Sequence, residues 1–270
     1  AQSPAAPSGC FASVGVRPAR LFNLPYDVMV SVGQVGQCGN SSPFAIYVTD
    51  PKNSGNNTNI AGVSANNLAL TTADLNGDGF DEVVVLADQN LLIYTAVDPT
   101  APSKGIRQAA SLSVAGIASE TVVTGDFNGD GVVDIGFLTL TVSPAYAVAF
   151  ASVCPAANTT VLGQTCSSTF QMIPVPNTVT ILNIPENINP GIPLLVAGNF
   201  AGIPGQAQLV SDINVTTGNA SSHQLAAWAL DSSFSVANQS SMTLPSAGVG
   251  DPAFGAAASL DWFGSSQQLI

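Results

Sequence analysis

The sequence predicts an all-β fold made of repeated units about 52 residues long. Three observations predict it. Two acidic nine-residue loops recur at that spacing, each followed at once by an apolar run. Short apolar runs fill the rest of the chain, separated by clusters of Pro, Gly, Asn and Ser. No stretch carries the sustained 3.6-residue apolar period that a helix facing a core requires.

The first loop reads Asp74-Leu75-Asn76-Gly77-Asp78-Gly79-Phe80-Asp81-Glu82, and the second Asp126-Phe127-Asn128-Gly129-Asp130-Gly131-Val132-Val133-Asp134. Each puts oxygen-bearing side chains at positions 1, 3 and 5, a glycine at 6 and a carboxylate at 9. Calcium is a hard cation that takes six to eight oxygens, and alternate residues of a tight loop can direct oxygens inward. The glycine permits the sharp turn. The runs that follow, Val83–Leu86 and Ile135–Leu138, are apolar at consecutive positions, as in strands covered on both faces. An EF-hand is excluded, because it needs a carboxylate at position 12 and a following helix. Position 12 here is Val85 or Phe137, inside a strand-like run. A metal-free pair of Asn-Gly and Asp-Gly hairpin turns would not require so many acids.

The spacing acts as a ruler. Asp74 and Asp126 lie 52 residues apart. The stretch Val196–Gly202 resembles Val123–Gly129 and makes Asn199 a worn position 1, 73 residues after Asp126. The excess of 21 residues falls where segment 139–190 holds Cys154 and Cys166, which reads as an insertion. Another 52 residues reach Gly250-Asp251 and Ala257–Phe263. Backwards, Tyr26–Val30 matches Asp81–Val85 at an offset of 55. Five units therefore fit the chain, two with their acids and three without.

The strand candidates between loops include Phe44–Val48, Leu91–Tyr94, Tyr146–Phe150, Thr178–Leu182 and Leu225–Leu230. About four strands per 50-residue unit is the pattern of a β-propeller blade. The expected architecture is a β-propeller-like array of about five four-stranded blades with Ca2+-binding hairpin loops, as one domain over residues 1–270. The final unit is short of strands. Residues 1–18, containing Cys10–Val16, are expected to close it or to pair with another subunit, since unpaired sheet edges need protection.

Charge is sparse. Only 8% of residues are charged and the net charge is −12, with five Lys and Arg in total. Nucleic-acid binding needs clustered cations to displace counterions and is excluded on this composition. Seven of the 17 carboxylates sit in the two loops, so the acidity is mostly local. No apolar run approaches the roughly 20 residues of a membrane helix, and Ala1-Gln2-Ser3-Pro4 reads as a mature N-terminus left after signal removal.

Cys10, Cys38, Cys154 and Cys166 have no C-x-x-C spacing and a single histidine to assist them, which argues against zinc. Two disulfides in an oxidising compartment are expected. Of the three connectivities, Cys10–Cys38 with Cys154–Cys166 is favoured, because the second pair closes a short loop rich in Asn, Thr and Gly. Sequons begin at Asn40, Asn56, Asn158, Asn214, Asn219 and Asn238, each a possible glycan acceptor in a secreted chain.

The motif D-x-N-G-D-G-x-x-[D/E] with its apolar sequel, at Asp74–Val85 and Asp126–Phe137, resembles the FG-GAP/VCBS repeat family. That resemblance implies a Ca2+-binding β-propeller, as in integrin α-subunit heads and many secreted bacterial proteins. It implies side-chain ligation by Asp74, Asn76, Asp78 and Glu82 with the Phe80 carbonyl. The second set is Asp126, Asn128, Asp130 and Asp134 with the Val132 carbonyl. Glu82 departs from the commoner Asp at position 9; its longer arm can reach, or the adjacent Asp81 can compete.

Other chemistry is thinly represented. His223 is the only histidine and sits in no motif, and Asp212, Asp231 and Asp261 show no acid–base spacing. Trp228 and Trp262 could stack on sugars but read as packed aromatics. No G-x-S-x-G, H-E-x-x-H, Walker or Rossmann motif occurs. The expected function is a secreted, Ca2+-stabilised, non-catalytic binding or adhesion module. Its partner would be a protein or glycan at an extracellular surface, or copies of itself. A structural subunit of an extracellular filament or surface layer is the alternative, and a polysaccharide-acting enzyme on the same scaffold a second.

Overall fold

Strands form where β-branched and aromatic residues cluster, and turns form where Gly, Asn, Asp and Pro interrupt them. The computed structural model describes residues 10–36, 42–65, 68–115, 117–142, 145–182, 189–190, 194–200, 205–217, 220–245, 259–261 and 267–269. Among the described residues all longer elements are strands, and the helical elements are two 3-10 turns, Ser54–Asn56 and Pro102–Lys104.

Sheet 1 contains β1 (Cys10–Ala19), β2 (Val28–Gly36), β3 (Ser42–Thr49) and β4 (Thr58–Ala65), in that order and antiparallel. Sheet 2 repeats the pattern with β5 (Leu68–Ala73), β6 (Glu82–Ala87), β7 (Asn90–Ala96) and β8 (Ile106–Ser113). Sheet 3 is built on β9 (Ile117–Gly125), β10 (Asp134–Val142) and β11 (Ala145–Val153). A small hairpin of β12 (Thr160–Val161) and β13 (Gln164–Thr165) follows, then the short β14 (Met172–Pro174). Strand β15 (Val179–Leu182) then pairs with β11. Sheet 4 comprises β16 (Asn189–Pro190), β17 (Leu194–Gly198), β18 (Gln208–Thr217), β19 (Ala220–Leu230) and β20 (Val236–Pro245). A last hairpin joins β21 (Ser259–Asp261) to β22 (Gln267–Leu269).

The ruler read from the sequence therefore marks real units. Four sheets of four or five strands follow one another, and the fifth unit's described residues form a two-stranded hairpin. Every strand candidate named above is a strand, including Leu225–Leu230 within β19. The segment Cys10–Val16 lies in β1, which pairs with β2 along its length and forms an edge of sheet 1.

Contacts divide the chain into two compact units. One holds the described residues up to Ala115 together with Val153–Ile173; the other holds Gly116–Ser152 with the described residues from Pro174 onward. In the first, the apolar residues of sheets 1 and 2 form one core that includes Val30, Phe44, Ile46, Val83, Val85 and Tyr94. Strand β6 is buried at all six positions, as expected for a strand covered on both faces. In the second, Phe150 of β11 packs against Phe127 with ring centroids 5.5 Å apart and against Phe234 at 5.1 Å. Trp228 is buried in β19, in keeping with a packed aromatic.

The insertion is a disulfide-closed hairpin. Cys154 and Cys166 are bonded with Cα atoms 5.9 Å apart, and backbone bonds Cys154 N–Gln171 O and Cys166 N–Thr159 O lace the segment. Closing a loop of 12 residues removes unfolded-state entropy worth about 3 kcal/mol. Replacing both cysteines by serine is expected to lower unfolding stability by about 2–4 kcal/mol in urea titration; a loss below about 1 kcal/mol would show that the hairpin folds without its tether. The pairing expected for Cys10 involves Cys38, which lies outside the described residues.

Candidate metal centre

Each acidic loop joins the first and second strands of its sheet: Asp74–Asp81 connects β5 to β6, and Asp126–Val133 connects β9 to β10. The two loops have the same seven hydrogen bonds. The Asp74 carboxylate accepts from the backbone N–H of Gly77 (2.7 Å), Asp78 (3.1 Å) and Gly79 (2.8 Å). Asp126 accepts from Gly129 (2.7 Å), Asp130 (3.2 Å) and Gly131 (2.8 Å). Asn76 accepts from Asp78 N and donates to the Asp78 carboxylate, which accepts from Phe80 N. Asn128, Asp130 and Val132 repeat this. At the base, Glu82 accepts from Leu75 N and Asp134 from Phe127 N. Folding has thus gathered oxygens on one short stretch of chain by bending the backbone around position 1.

Glycine is required twice per loop. Gly77 and Gly129 have φ of 75° and 76°, and Gly79 and Gly131 have 87° and 83°. Nothing lies within 4 Å of a Cβ built on Gly79 or Gly131, so space is not the constraint; backbone conformation is. Gly79→Ala or Gly131→Ala is expected to cost about 1–2 kcal/mol, measured by thermal unfolding. A neutral result would show that the loop can relax to another turn.

The position-9 carboxylates are the unusual groups. Glu82 and Asp134 are 1% and 0% exposed. Burial pushes Glu82 up to about 8; the Leu75 N–H opposes this, and the charges of Asp78 and Asp74 add to it. Burial likewise raises Asp134 to about 7, against hydrogen bonds from Ser152 and Phe127 and with repulsion from Asp130 and Asp126. The second oxygen of each accepts from a hydroxyl on the neighbouring strand, Thr95 Oγ1 at 3.2 Å for Glu82 and Ser152 Oγ at 2.6 Å for Asp134. These two hydroxyls were not read from the sequence; the cross-strand register that puts Ser152 opposite Asp134 is the signal that finds them.

The same positions in the other sheets are informative. The residue that opens the strand after the loop is Val28 in sheet 1 and Gln208 in sheet 4, 1% and 3% exposed. The first loop residue, aspartate in the acidic loops, is Arg20 after β1 and Asn199 after β17. The worn loops have thus lost the acid at both ends.

Asp81, beside Glu82, faces the first loop of the unit. Its Oδ2 accepts from Arg20 N at 2.7 Å, and burial raises its pKa. The ten residues named from the resemblance therefore fall into two sets of five, one per loop. Each set has only oxygen donors: two aspartates, an asparagine, a backbone carbonyl and a buried position-9 acid. This chemistry fits a hard cation. Among the described residues, no three Asp, Glu, His or Cys side chains converge as a ready cage; the aspartates are held on backbone N–H groups.

Residues 74–137 match the FG-GAP-like repeat. The matched FG-GAP-like segment begins at Asp74, ends at Phe137 and contains both acidic loops together with β6 to β9. An FG-GAP-like repeat on a chain of successive antiparallel sheets suggests a β-propeller-like binding module. No curated protein sequence matches the chain.

The remaining candidates are scattered. The Asn56 side chain donates to the buried Asp50 carboxylate at 2.8 Å, whereas Asn158 and Asn238 are exposed. Asn214 lies in β18 opposite His223 in β19. Asn40, Asn219 and Trp262 lie outside the described residues. Asp231 is exposed and accepts from Ser233 N, Ser233 Oγ and Ser235 N, which makes it a turn residue. Asp212 and Asp261 fall in β18 and β21. Among the described residues, no helix is long and apolar enough to cross a membrane.

Proposed function

We propose that the chain is a secreted, calcium-stabilised, β-propeller-like module that binds a partner without catalysing a reaction. One observation carries the calcium reading. A carboxylate is buried at a position that other sheets fill with Val or Gln, and it feels the repulsion of two further aspartates of its own loop. Burying a carboxylate is costly unless a counter-charge meets it. Among the described residues, no lysine or arginine forms an ion pair with Glu82 or Asp134. Asp74, Asn76, Asp78, the Phe80 carbonyl and Glu82 would hold one ion, and Asp126, Asn128, Asp130, the Val132 carbonyl and Asp134 the other. The ion supplies positive charge where the loop concentrates negative charge, so binding energy becomes folding energy.

Calorimetric titration of the purified chain with calcium chloride tests this, with a stoichiometry of two expected. Absence of binding heat and of any thermal shift would sink the calcium reading. The Cys154–Cys166 disulfide supports an oxidising, extracellular setting. The filament alternative draws on the low charge, the apolar composition, the disulfides and a final unit short of strands. Sedimentation with and without calcium separates self-association from recognition of an outside protein or glycan.

A further inference from the structure

In each unit, the loop that kept its acids is hydrogen-bonded to a loop that lost them. In the second unit, Ala207 N donates to the Asp126 carbonyl at 2.7 Å. Gln206 Nε2 donates to the Phe127 carbonyl at 3.0 Å and to the Leu230 carbonyl at 2.6 Å. Gln208 Nε2 returns to the Gln206 carbonyl at 2.8 Å. The approach is tight: a Cβ on Gly125 would lie 2.6 Å from the Ala207 Cβ. In the first unit, Asp81 N donates to the Arg20 carbonyl at 3.0 Å, and Arg20 N donates to the Asp81 carboxylate at 2.7 Å. Thr72 Oγ1 donates to the Pro18 carbonyl beside them.

In the second unit the peptide 126–127 is gripped from both sides. On one side, the Asp126 carboxylate is set by three loop N–H groups, and Phe127 N donates to Asp134. On the other side, both carbonyls of the pair accept from residues 206 and 207. Holding those carbonyls fixes the peptide planes from which the position-1 carboxylate projects and to which the position-9 carboxylate is tied.

We propose that Gln206 is a positioning residue for the second calcium loop, and that calcium there tightens the joint between sheets 3 and 4. This rests on the calcium reading above. A worn loop has kept its docking role after losing its ligands. Because coupling between two equilibria is reciprocal, a joint that orders the loop for calcium is itself ordered by calcium.

The test uses the full chain carrying Asp78→Ala, which leaves the second loop to report alone, with and without Gln206→Met. Methionine keeps the length of glutamine and removes its donors. Gln206→Met is expected to weaken calcium binding about 5- to 10-fold and to shrink the calcium-induced rise in melting temperature. A merely structural role would lower the melting temperature equally in calcium and in EGTA. Hydrogen exchange of the Ala207 amide in the otherwise unaltered chain needs no variant, and calcium is expected to slow it. Calcium affinity unchanged by Gln206→Met, or Ala207 exchange identical in calcium and in EGTA, overturns the inference and leaves the calcium reading intact. Absence of any calcium binding by the unaltered chain overturns both.

Discussion

Removing calcium with EGTA near neutral pH is expected to lower the melting temperature by about 5–10 °C for each of the two sites emptied. An ion at 100 times its dissociation constant stabilises the folded state by about 2.7 kcal/mol per site, and 1 kcal/mol corresponds to roughly 2–4 °C in a chain of this size. The sign of the pH dependence follows from the buried acids. Their folded pKa values are raised, to about 8 for Glu82 and about 7 for Asp134. In EGTA, stability is therefore full below the unfolded carboxylate range near pH 4 and is lost as pH rises through 7 to 8. Saturating calcium should flatten that decline. The same argument makes Asp134→Asn informative. It should abolish the calcium response of the second loop, yet stabilise the chelated protein at pH 8 by on the order of 1–3 kcal/mol, because no charge is then buried. Differential scanning calorimetry across pH 5 to 8, with calcium and with EGTA, reads all of these. If Asp134→Asn destabilises the chelated protein at pH 8, the buried acid is not the liability described.

Phe150→Ala is expected to cost about 3–5 kcal/mol in urea titration, a large share of the 5–15 kcal/mol typical of a folded domain. Phe150 is 2% exposed and sits between the rings of Phe127 and Phe234. Truncation would leave a cavity and remove two aromatic contacts. The damage should reach the metal loop as well, because Phe127 is loop position 2 and its N–H donates to Asp134. Calcium affinity of the second loop should fall while that of the first is unchanged. Phe150→Leu, which fills more of the space, should recover part of both losses. A cost under 1 kcal/mol would mean that these rings do not form the core of that unit.

The loops and the strands after them were legible because their signals are local. Asp74 to Glu82 encodes its turn within nine residues, and the consecutive apolar positions of Val83–Leu86 already declare a strand covered on both faces. The repeat matching also located the worn connection before β18, since Asn199 does follow β17, but it missed the one before β2 by a residue: Ala19 lies opposite Val28 as Ala73 lies opposite Glu82, an offset of 54 and not 55. What escaped was long-range. Thr95 and Ser152 become carboxylate partners only through strand register. Gln206 meets Phe127 across 79 residues of sequence.

The residue that opens the strand after each loop, Val28, Glu82, Asp134 and Gln208 in successive sheets, has a consequence for descent. Wherever calcium is scarce, a repeat that exchanges its buried acid for a neutral residue gains stability in a single step. Regaining function would demand the acid, the loop aspartates and both left-handed glycines together. On the calcium reading proposed above, erosion therefore runs one way, and only habitual exposure to the ion would hold it back.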